Sequence, residues 1–392
     1  MSAYAAAPAM AFGEKASPGM VRVVSESHMM DEEPEAVNPA AASDWTKSVR
    51  VYEYGSAANP QMLPIPVVVH PSSLHESGPT AVLNFDLSAM LGGAGPCSSP
   101  NLLAAYVRIV VGESIATQAC ATSQAFYVIR GAGETTSAEH GTVDWSEGDL
   151  FVIPKTAGSC THSCASASAF GGAALYWVHD EPLMTYLGVA PNVQKFEPTH
   201  FTRARLLAHV EEIRHAPGAE HRNRLGVLLG NVATEETTMT LTHVLWSLLN
   251  SIGPKTIQRP HRHNSVALDL AVSAPLPAGQ VYTLMGREID KNGDIINPIK
   301  CDWVNGSVFL TPPGWWHSHH NESNETAWVL PMQDAGLYTH QRTLDIRFVD
   351  DELALHSTGR IRGSSFHVTN KQYTELAAIA NNCNVPNFDY GL

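Results

Sequence analysis

A chain of 392 residues is long enough for two domains that each bury a core, and its hydrophobic fraction of 44% argues against a largely disordered protein. Acidic residues outnumber basic ones by 38 to 24, which gives a formal charge of −14. This balance argues against a nucleic-acid partner, because phosphate binding needs a basic face. No apolar run approaches the roughly 18 residues of a membrane-spanning helix, so no membrane partner is expected.

Cysteine usage bears on the compartment. The six cysteines contain no CxxC pair, and Cys160 and Cys164 are separated by three residues. A zinc ribbon or a disulfide framework is therefore not expected. A reducing compartment fits best, and we predict a cytoplasmic protein.

The first segment, 1–45, is rich in Ala, Pro, Ser and Met. It has too little apolar surface to offset the cost of ordering its backbone, so we predict a flexible N-terminal arm that packs on a partner subunit. Pro8 and Gly13 interrupt any apolar core of a secretory signal. A transit peptide should be rich in arginine, but Arg22 is the only arginine before residue 50, so this is the less favoured alternative.

Short runs of β-branched and aromatic residues, separated by Gly, Pro, Ser and Asp, fill 60–190 and 225–350 and predict strands. Between them, 200–216 has apolar residues at helical spacing and predicts a linking helix. Two such series of strands predict two antiparallel sandwiches or barrels. The predicted parts are the arm at 1–45, a first barrel at 46–199, a second barrel at 200–355, and a tail with a short helix at 356–392.

The two β-rich stretches also contain an internal repeat. GDLFVIP at 148–154 and GSVFLTP at 306–312 both have a glycine, five residues and a proline at the same relative place. The repeat favours two barrels of one kind.

Histidines of the second repeat point to metal binding. His261 and His263 are two residues apart in a predicted strand, so both imidazoles face one side. Turn residues in the later motif place His317 on the strand that follows. Three neutral imidazoles would bind a divalent cation and leave coordination positions open for a substrate or oxygen. A lone histidine in a β core is more often structural, but three at both motif positions favour ligands.

The histidine motifs resemble those of the cupin superfamily. The later motif resembles a complete second cupin motif, and HRHNSVALDL (261–270) resembles the start of the first, without the glutamate that many cupins add. This three-histidine pattern is similar to the gentisate 1,2-dioxygenase family, which includes salicylate and 1-hydroxy-2-naphthoate dioxygenases. The resemblance implies an all-β bicupin fold: two double-stranded β-helix (jelly-roll) barrels with a few peripheral helices. The matching motif is Gly306-x5-Pro312-x-Gly314-x2-His317-x3-Asn321.

The same resemblance implies roles for other residues near the metal. His319 would line the site as an acid–base group, and Asp334 would orient it. Trp246 and Asn250, on the strand before the metal pair, would lie near the substrate. The alternative for His319 is an ordinary surface residue.

One position departs from the family, and it concerns substrate charge. Asp269 stands where relatives have an arginine that holds the substrate carboxylate. An acid there would repel an anionic substrate. Either Asp269 pairs with Arg222 or Arg224, or the substrate is not a simple aromatic acid. The two arginines match other substrate-contacting arginines of the family, with a surface salt bridge as the alternative.

The first repeat is predicted to form a barrel without a metal. Alignment of its strands places Gln118, Cys120 and Gln124 where ligands would sit, and His162 is displaced from the third ligand's place. One imidazole with a possible thiol is a poor site for a hard metal.

The resemblance implies an Fe(II)-dependent dioxygenase that cleaves the ring of a hydroxylated aromatic acid or a related compound, with altered specificity. Its partners would be a small-molecule substrate and O2, and the chain would assemble as a homodimer or homotetramer. Mn, Zn or Ni could replace iron. The alternatives are a non-oxidative metal cupin, such as an isomerase, lyase or decarboxylase, and a non-enzymatic small-molecule-binding cupin.

Overall fold

The computed structural model describes residues 44–166, 171–219 and 222–350, in two units, 1–63 and 64–392. The described part of the first unit holds two short helices. A 3₁₀-helix, Trp45–Ser48, begins where the Asp44 side chain accepts from the Thr46 amide, and helix α1 (Tyr54–Ala57) is capped in the same way by Glu53. The remainder of the predicted arm and the predicted tail helix lie outside the described residues.

The first barrel of the second unit consists of two antiparallel sheets, in the orders β11-β8-β5-β10-β3-β2 and β4-β9-β6-β7. A first strand, β1 (Val69–His70), precedes it in the chain. The barrel strands are β2 (Ala81–Asn84), β3 (Leu103–Val110), β4 (Ser114–Thr117), β5 (Ser123–Arg130), β6 (Ala132–Ser137), β7 (Gly141–Ser146), β8 (Leu150–Pro154), β9 (Cys160–Ser166), β10 (Gly172–His179) and β11 (Thr199–Phe201).

The second barrel repeats this arrangement, with the sheet orders β1-β18-β15-β20-β13-β12 and β17-β16-β19-β14-β21. Its strands are β12 (Leu225–Leu229), β13 (Trp246–Ile252), β14 (Thr256–His263), β15 (Ala267–Ser273), β16 (Val281–Gly286), β17 (Ile299–Asp302), β18 (Val308–Thr311), β19 (Trp316–Asn321), β20 (Ala327–Gln333) and β21 (Ile346–Phe348). Two sheets that face each other in each half form the expected jelly rolls, so the predicted all-β bicupin architecture is confirmed.

Helices lie at the periphery of the barrels. The predicted linking helix is α5 (Arg203–His215). Thr202 caps its start by accepting from the Arg205 amide, and the helix buries Leu206 and Val210. No helix among the described residues is long and apolar enough to cross a membrane. The helices of this unit are α2 (Ser73–Glu76), α3 (Ser88–Leu91), α4 (Glu181–Leu187), α5 (Arg203–His215), α6 (Ala335–Gln341) and a 3₁₀ turn at Val232–Thr234.

The two barrels share one hydrophobic core. Tyr106 and Tyr176 of the first barrel are buried in it, together with Leu249 and Leu268 of the second. Their hydroxyls cross between the barrels, since Tyr176 donates to the Leu268 carbonyl at 3.1 Å and Tyr106 donates to the Gly306 carbonyl at 2.8 Å. Strand β1 adds a further connection, because it lies before the first barrel in the chain but pairs with β18 of the second.

The repeated glycines turn the chain into equivalent strands of the two barrels. Gly148 and Gly306 have φ angles of +89° and +74°, a backbone region that L side chains rarely adopt. Each stands shortly before a strand, β8 or β18, and both strands are second from the edge of their sheets. The repeat in the sequence is therefore a repeat of the turn and of the strand that follows it.

Candidate metal centre

The three predicted ligands come from two paired strands. His261 and His263 lie on β14 and His317 on β19, where His261 and His317 are direct antiparallel partners. Their ligand nitrogens all lie within 4.8 Å of one another. Imidazoles that are this close can share one metal ion, so the strands bring together the residues that the sequence predicts.

A β-bulge decides which side of β14 faces the barrel. Gln258 and Pro260 are buried at the start of the strand, but the register with β19 shifts between Gln258 and His261. The extra residue moves the inward face from even to odd positions, so His261 and His263 point into the barrel together. Without the bulge, the alternation would turn both imidazoles outward.

Backbone carbonyls orient two of the imidazoles. The Nδ1 of His263 contacts the Ser265 carbonyl oxygen at 2.9 Å, and that of His317 contacts the Trp315 carbonyl oxygen at 3.0 Å. A carbonyl only accepts, so Nδ1 carries the proton and Nε2 keeps its lone pair for a metal. Burial lowers the pKa of His263 to about 4 and that of His317 well below its usual range. Both rings are therefore neutral at neutral pH, as metal ligation would require.

His261 differs from the other two imidazoles in its hydrogen bond. Arg224, which has no acceptor, lies 2.9 Å from its Nδ1 and also donates to the Arg259 carbonyl. Burial, and then the neighbouring His317 and Arg224, hold the pKa of His261 well below its usual range. Binding a cation through Nε2 would place the ring proton on Nδ1, so the guanidinium would have to leave that atom. The donor set as a whole fits a divalent cation.

The triad faces a cavity of about 220 Å³ inside the second barrel. Its volume is below the usual range of ligand pockets, roughly 300–1,000 Å³, and suits a small molecule. The lining residues are Arg224, Gly226, Leu228, Trp246, Leu248, Asn250, His261, His263, Asp269, His317, His319, Val329, Pro331, Gln333, Ile346 and Phe348.

Of the predicted substrate residues, Trp246, Asn250, Asp269 and Arg224 line this cavity, whereas Arg222 does not. Arg222 is exposed, and its amide donates to the Ala219 carbonyl. The Asn250 side chain exchanges two hydrogen bonds with Gln258, at 2.8 and 3.1 Å, which fixes its amide.

The predicted acid–base pair is separated in the structure. His319 lines the cavity, but Asp334 lies outside it and accepts from the Asn101 side chain at 2.7 Å and from the Val266 amide at 3.1 Å. Burial raises the pKa of Asp334 to about 6. No contact that would let Asp334 orient His319 occurs among the described residues.

A threonine and a tryptophan take the orienting position instead. The Thr283 hydroxyl lies 2.9 Å from Nδ1 of His319 and accepts from the Trp303 indole at 2.8 Å. Burial lowers the pKa of His319 to about 3, so its ring is neutral. Thr283 and Trp303 are not among the residues predicted from the sequence, although an Asp-Trp pair before the repeated glycine, at 144–145 and 302–303, is a usable signal for Trp303.

Asp269 has no cationic partner among the residues that the structure describes. Thr311 donates to its Oδ2 at 2.6 Å, and neither Arg222 nor Arg224 forms an ion pair with it. Of the two alternatives for this position, pairing with one of these arginines does not occur among the described residues. Burial raises the pKa of Asp269 to about 7, against a smaller lowering by the Thr311 hydrogen bond.

The first barrel contains the same series of hydrogen bonds from a tryptophan through a threonine to a histidine, but not the three clustered histidines. Trp145 donates to Thr135 at 2.9 Å, and the Thr135 hydroxyl lies 2.7 Å from Nδ1 of His162. Thr135 pairs with His162 as Thr283 pairs with His319. His162 is thus the counterpart of His319, not of a metal ligand.

Strand register also identifies the counterparts of the ligands. Thr117 pairs with Cys160 as His261 pairs with His317, and two residues further on Ala119 stands in the place of His263. The earlier alignment is wrong for Gln118 and Cys120, which are exposed. A hydroxyl, a methyl group and a buried thiol thus occupy the three ligand places.

Aromatic side chains fill the interior of the first barrel. Phe126 stacks on Phe151 and on Trp177, with ring centroids 4.9 and 5.7 Å apart, and its ring lies 4.9 Å from that of His162. By strand register, Phe126 is the counterpart of Asp269, since they pair with Phe151 and Phe309 at equivalent places. A buried phenyl ring thus stands where the second barrel has its buried carboxyl.

Comparisons with known proteins support this fold. No protein-family model matches the chain, and no curated protein matches its sequence. Among solved structures, a salicylate 1,2-dioxygenase from Pseudaminobacter salicylatoxidans matches with a TM-score of 0.54 at 14% identity, over 74% of this chain and 89% of that one. A variant of that enzyme in complex with gentisate gives 0.54 and 14%, over 74% and 88%. At such identity the likeness shows the bicupin fold.

Proposed function

We propose that this protein is a metal-dependent dioxygenase that cleaves the ring of a small hydroxylated aromatic compound. The observation that carries the proposal is the buried cluster of His261, His263 and His317 at the wall of a cavity in the second barrel. No carboxylate belongs to this cluster among the described residues, so a cation held there keeps its full charge and open positions. The likeness of the fold to a salicylate 1,2-dioxygenase supports the reaction class.

The three imidazoles would hold the cation, and Fe(II) is the metal that we propose. A bound ferrous ion would supply the Lewis acidity and one-electron chemistry that couple a hydroxylated ring to dioxygen. The carbonyls of Ser265 and Trp315 keep two of the imidazoles in the ligand tautomer.

Other side chains would orient the substrate and exclude water. Leu248, Val329 and Phe348 give the cavity an apolar wall, which favours an aromatic ring. Thr283 holds Nδ1 of His319, so the Nε2 of this neutral ring is the nitrogen left to exchange a proton with a bound ligand. We propose His319 as the acid–base group, whereas Asp334 has a place in the fold and not in the cavity.

The experiment that tests this function is oxygen uptake by purified protein loaded with ferrous iron under anaerobic conditions and then given a ring substrate and air. Gentisate, salicylate, 1-hydroxy-2-naphthoate and their amino-substituted analogues form the panel. We expect uptake with at least one compound and loss of uptake in His317→Ala, with folding retained by circular dichroism. Lack of uptake with every compound by fully loaded protein would overturn the proposal.

A second candidate is a non-oxidative metal-dependent reaction, such as an isomerisation or a decarboxylation. Asp269 favours it, because a buried carboxyl with a pKa of about 7 in the cavity suits proton transfer at neutral pH. Turnover under strictly anaerobic conditions, with manganese or zinc in place of iron, would identify this candidate and exclude the first.

A further inference from the structure

The cavity is bounded by two facing sheets of opposite chemical character. The four histidines lie on β14 and β19 of one sheet, whereas Asp269 lies on β15 of the other. Facing sheets of a sandwich are about 10 Å apart, which leaves room for one aromatic ring. A ring that chelates a cation at the histidines therefore presents its far side to Asp269.

The Asp269 side chain accepts few hydrogen bonds from the residues that surround it. Its direct cross-strand neighbours are Phe309 and Pro331, neither of which offers a side-chain hydrogen bond. Thr311 donates to one carboxyl oxygen, Oδ2, and no other hydrogen bond to the side chain occurs among the described residues. A buried carboxyl with one donor is incompletely satisfied, so a ligand that donates to its other oxygen gains free energy.

The cationic side chain that could pair with Asp269 from the cavity wall, Arg224, has other partners. Arg224 lines the same cavity, but its guanidinium donates to the Arg259 carbonyl and lies over the Phe348 ring at 4.9 Å, two contacts that do not depend on the ring proton of His261. Its guanidinium therefore lies against β14 and β21 of the sheet that carries the histidines. Asp269 is thus left to meet the ligand by itself.

From this arrangement we propose that Asp269 determines specificity, selecting rings with an amino or ammonium group on the side away from the histidines and rejecting rings with a carboxylate there. The inference rests on the proposed function, in that it takes a chelating aromatic ring as the ligand. An amino group donates a hydrogen bond to the carboxyl in either of its protonation states. A second carboxylate placed there is repelled by the ionised Asp269 carboxyl.

The test compares three ligands that share one chelating end: 5-aminosalicylate, gentisate and 5-carboxysalicylate. Dissociation constants are measured by calorimetry on full-length protein loaded with Zn(II), which does not undergo redox turnover. We expect wild-type protein to bind the amino compound at least tenfold more tightly than the carboxy compound. Asp269→Asn should bring the two constants within about threefold, and Asp269→Arg should reverse the order.

The matched control is Asp302→Asn, which removes the same charge from an exposed position on β17. It should leave the amino-to-carboxy ratio unchanged. The inference is overturned if wild-type protein binds the carboxy compound as tightly as the amino compound, a result that needs no variant to fold. It is also overturned if Asp269→Asn leaves the ratio unchanged.

The outcomes separate this inference from the proposed function. If no ring binds protein that carries one Zn(II) per chain, both are wrong. If rings bind with the expected ratio but no compound supports oxygen uptake, the specificity stands and the dioxygenase reaction does not. If oxygen uptake occurs and the ratio does not depend on residue 269, only the role of Asp269 is wrong.

Discussion

Both barrels contain a tryptophan, a threonine and a histidine that are linked in this order by hydrogen bonds, but the side chains around the histidine differ. In the first, His162 lies between the hydroxyls of Thr117 and Thr135, and an aromatic stack fills the interior. In the second, the equivalent His319 faces a cavity with three more imidazoles. The Trp–Thr–His hydrogen bonds are therefore part of the architecture of both barrels. What distinguishes the second barrel is a cavity with three more imidazoles in place of the aromatic stack.

The largest expected difference between the barrels is in metal binding. We expect one divalent cation per chain. Loss of a residue that hydrogen-bonds to a metal ligand typically weakens metal binding by roughly 10–100-fold, and His317→Ala should weaken it by more, because it removes a ligand itself. Cys160→Ala, the matched change at the equivalent place in the first barrel, should leave affinity and stoichiometry unaltered. Calorimetry with metal analysis checks this. The comparison would be contradicted if wild-type protein bound two cations per chain and Cys160→Ala bound only one.

The next difference is in packing. Phe126→Ala should lower the free energy of unfolding by about 3–5 kcal/mol, because it leaves a void among stacked rings. Asp269→Ala at the equivalent place should cost far less, since it removes an incompletely satisfied carboxyl from an existing cavity. Urea denaturation of metal-free protein measures both. Equal losses would mean that the second barrel is as tightly filled as the first.

Acid should weaken the first barrel through His162. Burial lowers the pKa of His162 to about 3 in the folded state, from 6.5. Its contribution is therefore fully present above pH 6.5 and is lost as the pH falls towards 3, because only the unfolded chain takes up the proton. Between pH 7 and pH 5, the loss in free energy of unfolding should be about 2 kcal/mol smaller in His162→Gln than in wild-type protein.

The control for this measurement is Val232→Ala, which changes an exposed side chain without an ionisable group and should keep the wild-type pH dependence. Denaturation curves at several pH values decide the matter. A parallel pH dependence in His162→Gln and wild-type protein would show that His162 takes up its proton without unfolding.

The smallest expected effect comes from the repeated tryptophans. Trp145→Phe and Trp303→Phe each remove one hydrogen bond to a threonine and should each cost about 1 kcal/mol of stability beyond the lost packing. Only Trp303→Phe should also weaken binding of a ring ligand, since Thr283 holds His319 beside the cavity. Matched thermal melts and calorimetry test this, and an equal effect on ligand binding would contradict it.

Much of the architecture could be predicted from local patterns. Alternating strands, the glycines at 148 and 306 and the helical spacing at 200–216 each depend on a few neighbouring residues, and the structure agrees with all of them. The cluster of His261, His263 and His317 was also predictable, because a motif and a two-residue spacing identify these histidines. These signals are short in range, so one sequence carries them.

The remainder depends on register and on partners that are distant in the sequence. The first barrel has one more residue than the second between the repeated glycine and the histidine, so strand register makes His162 the counterpart of His319. Sequence spacing alone does not show where this extra residue is accommodated. The bulge in β14 is equally hidden, although it decides which face the ligands occupy. The resemblance places Asp334 in the site because the family has a site aspartate at this position, whereas its hydrogen-bond partner Asn101 comes from the other barrel.

Strand β1 has a consequence for how the chain folds during synthesis. Val69 and His70 leave the ribosome before either barrel, but their partners on β18, Phe309 and Val308, are made only after the whole first barrel and most of the second. The second barrel cannot complete its sheet with its own residues. A fragment that begins at the linking helix would expose an unpaired strand edge, and such edges favour aggregation. The two barrels should therefore be produced and studied as one chain.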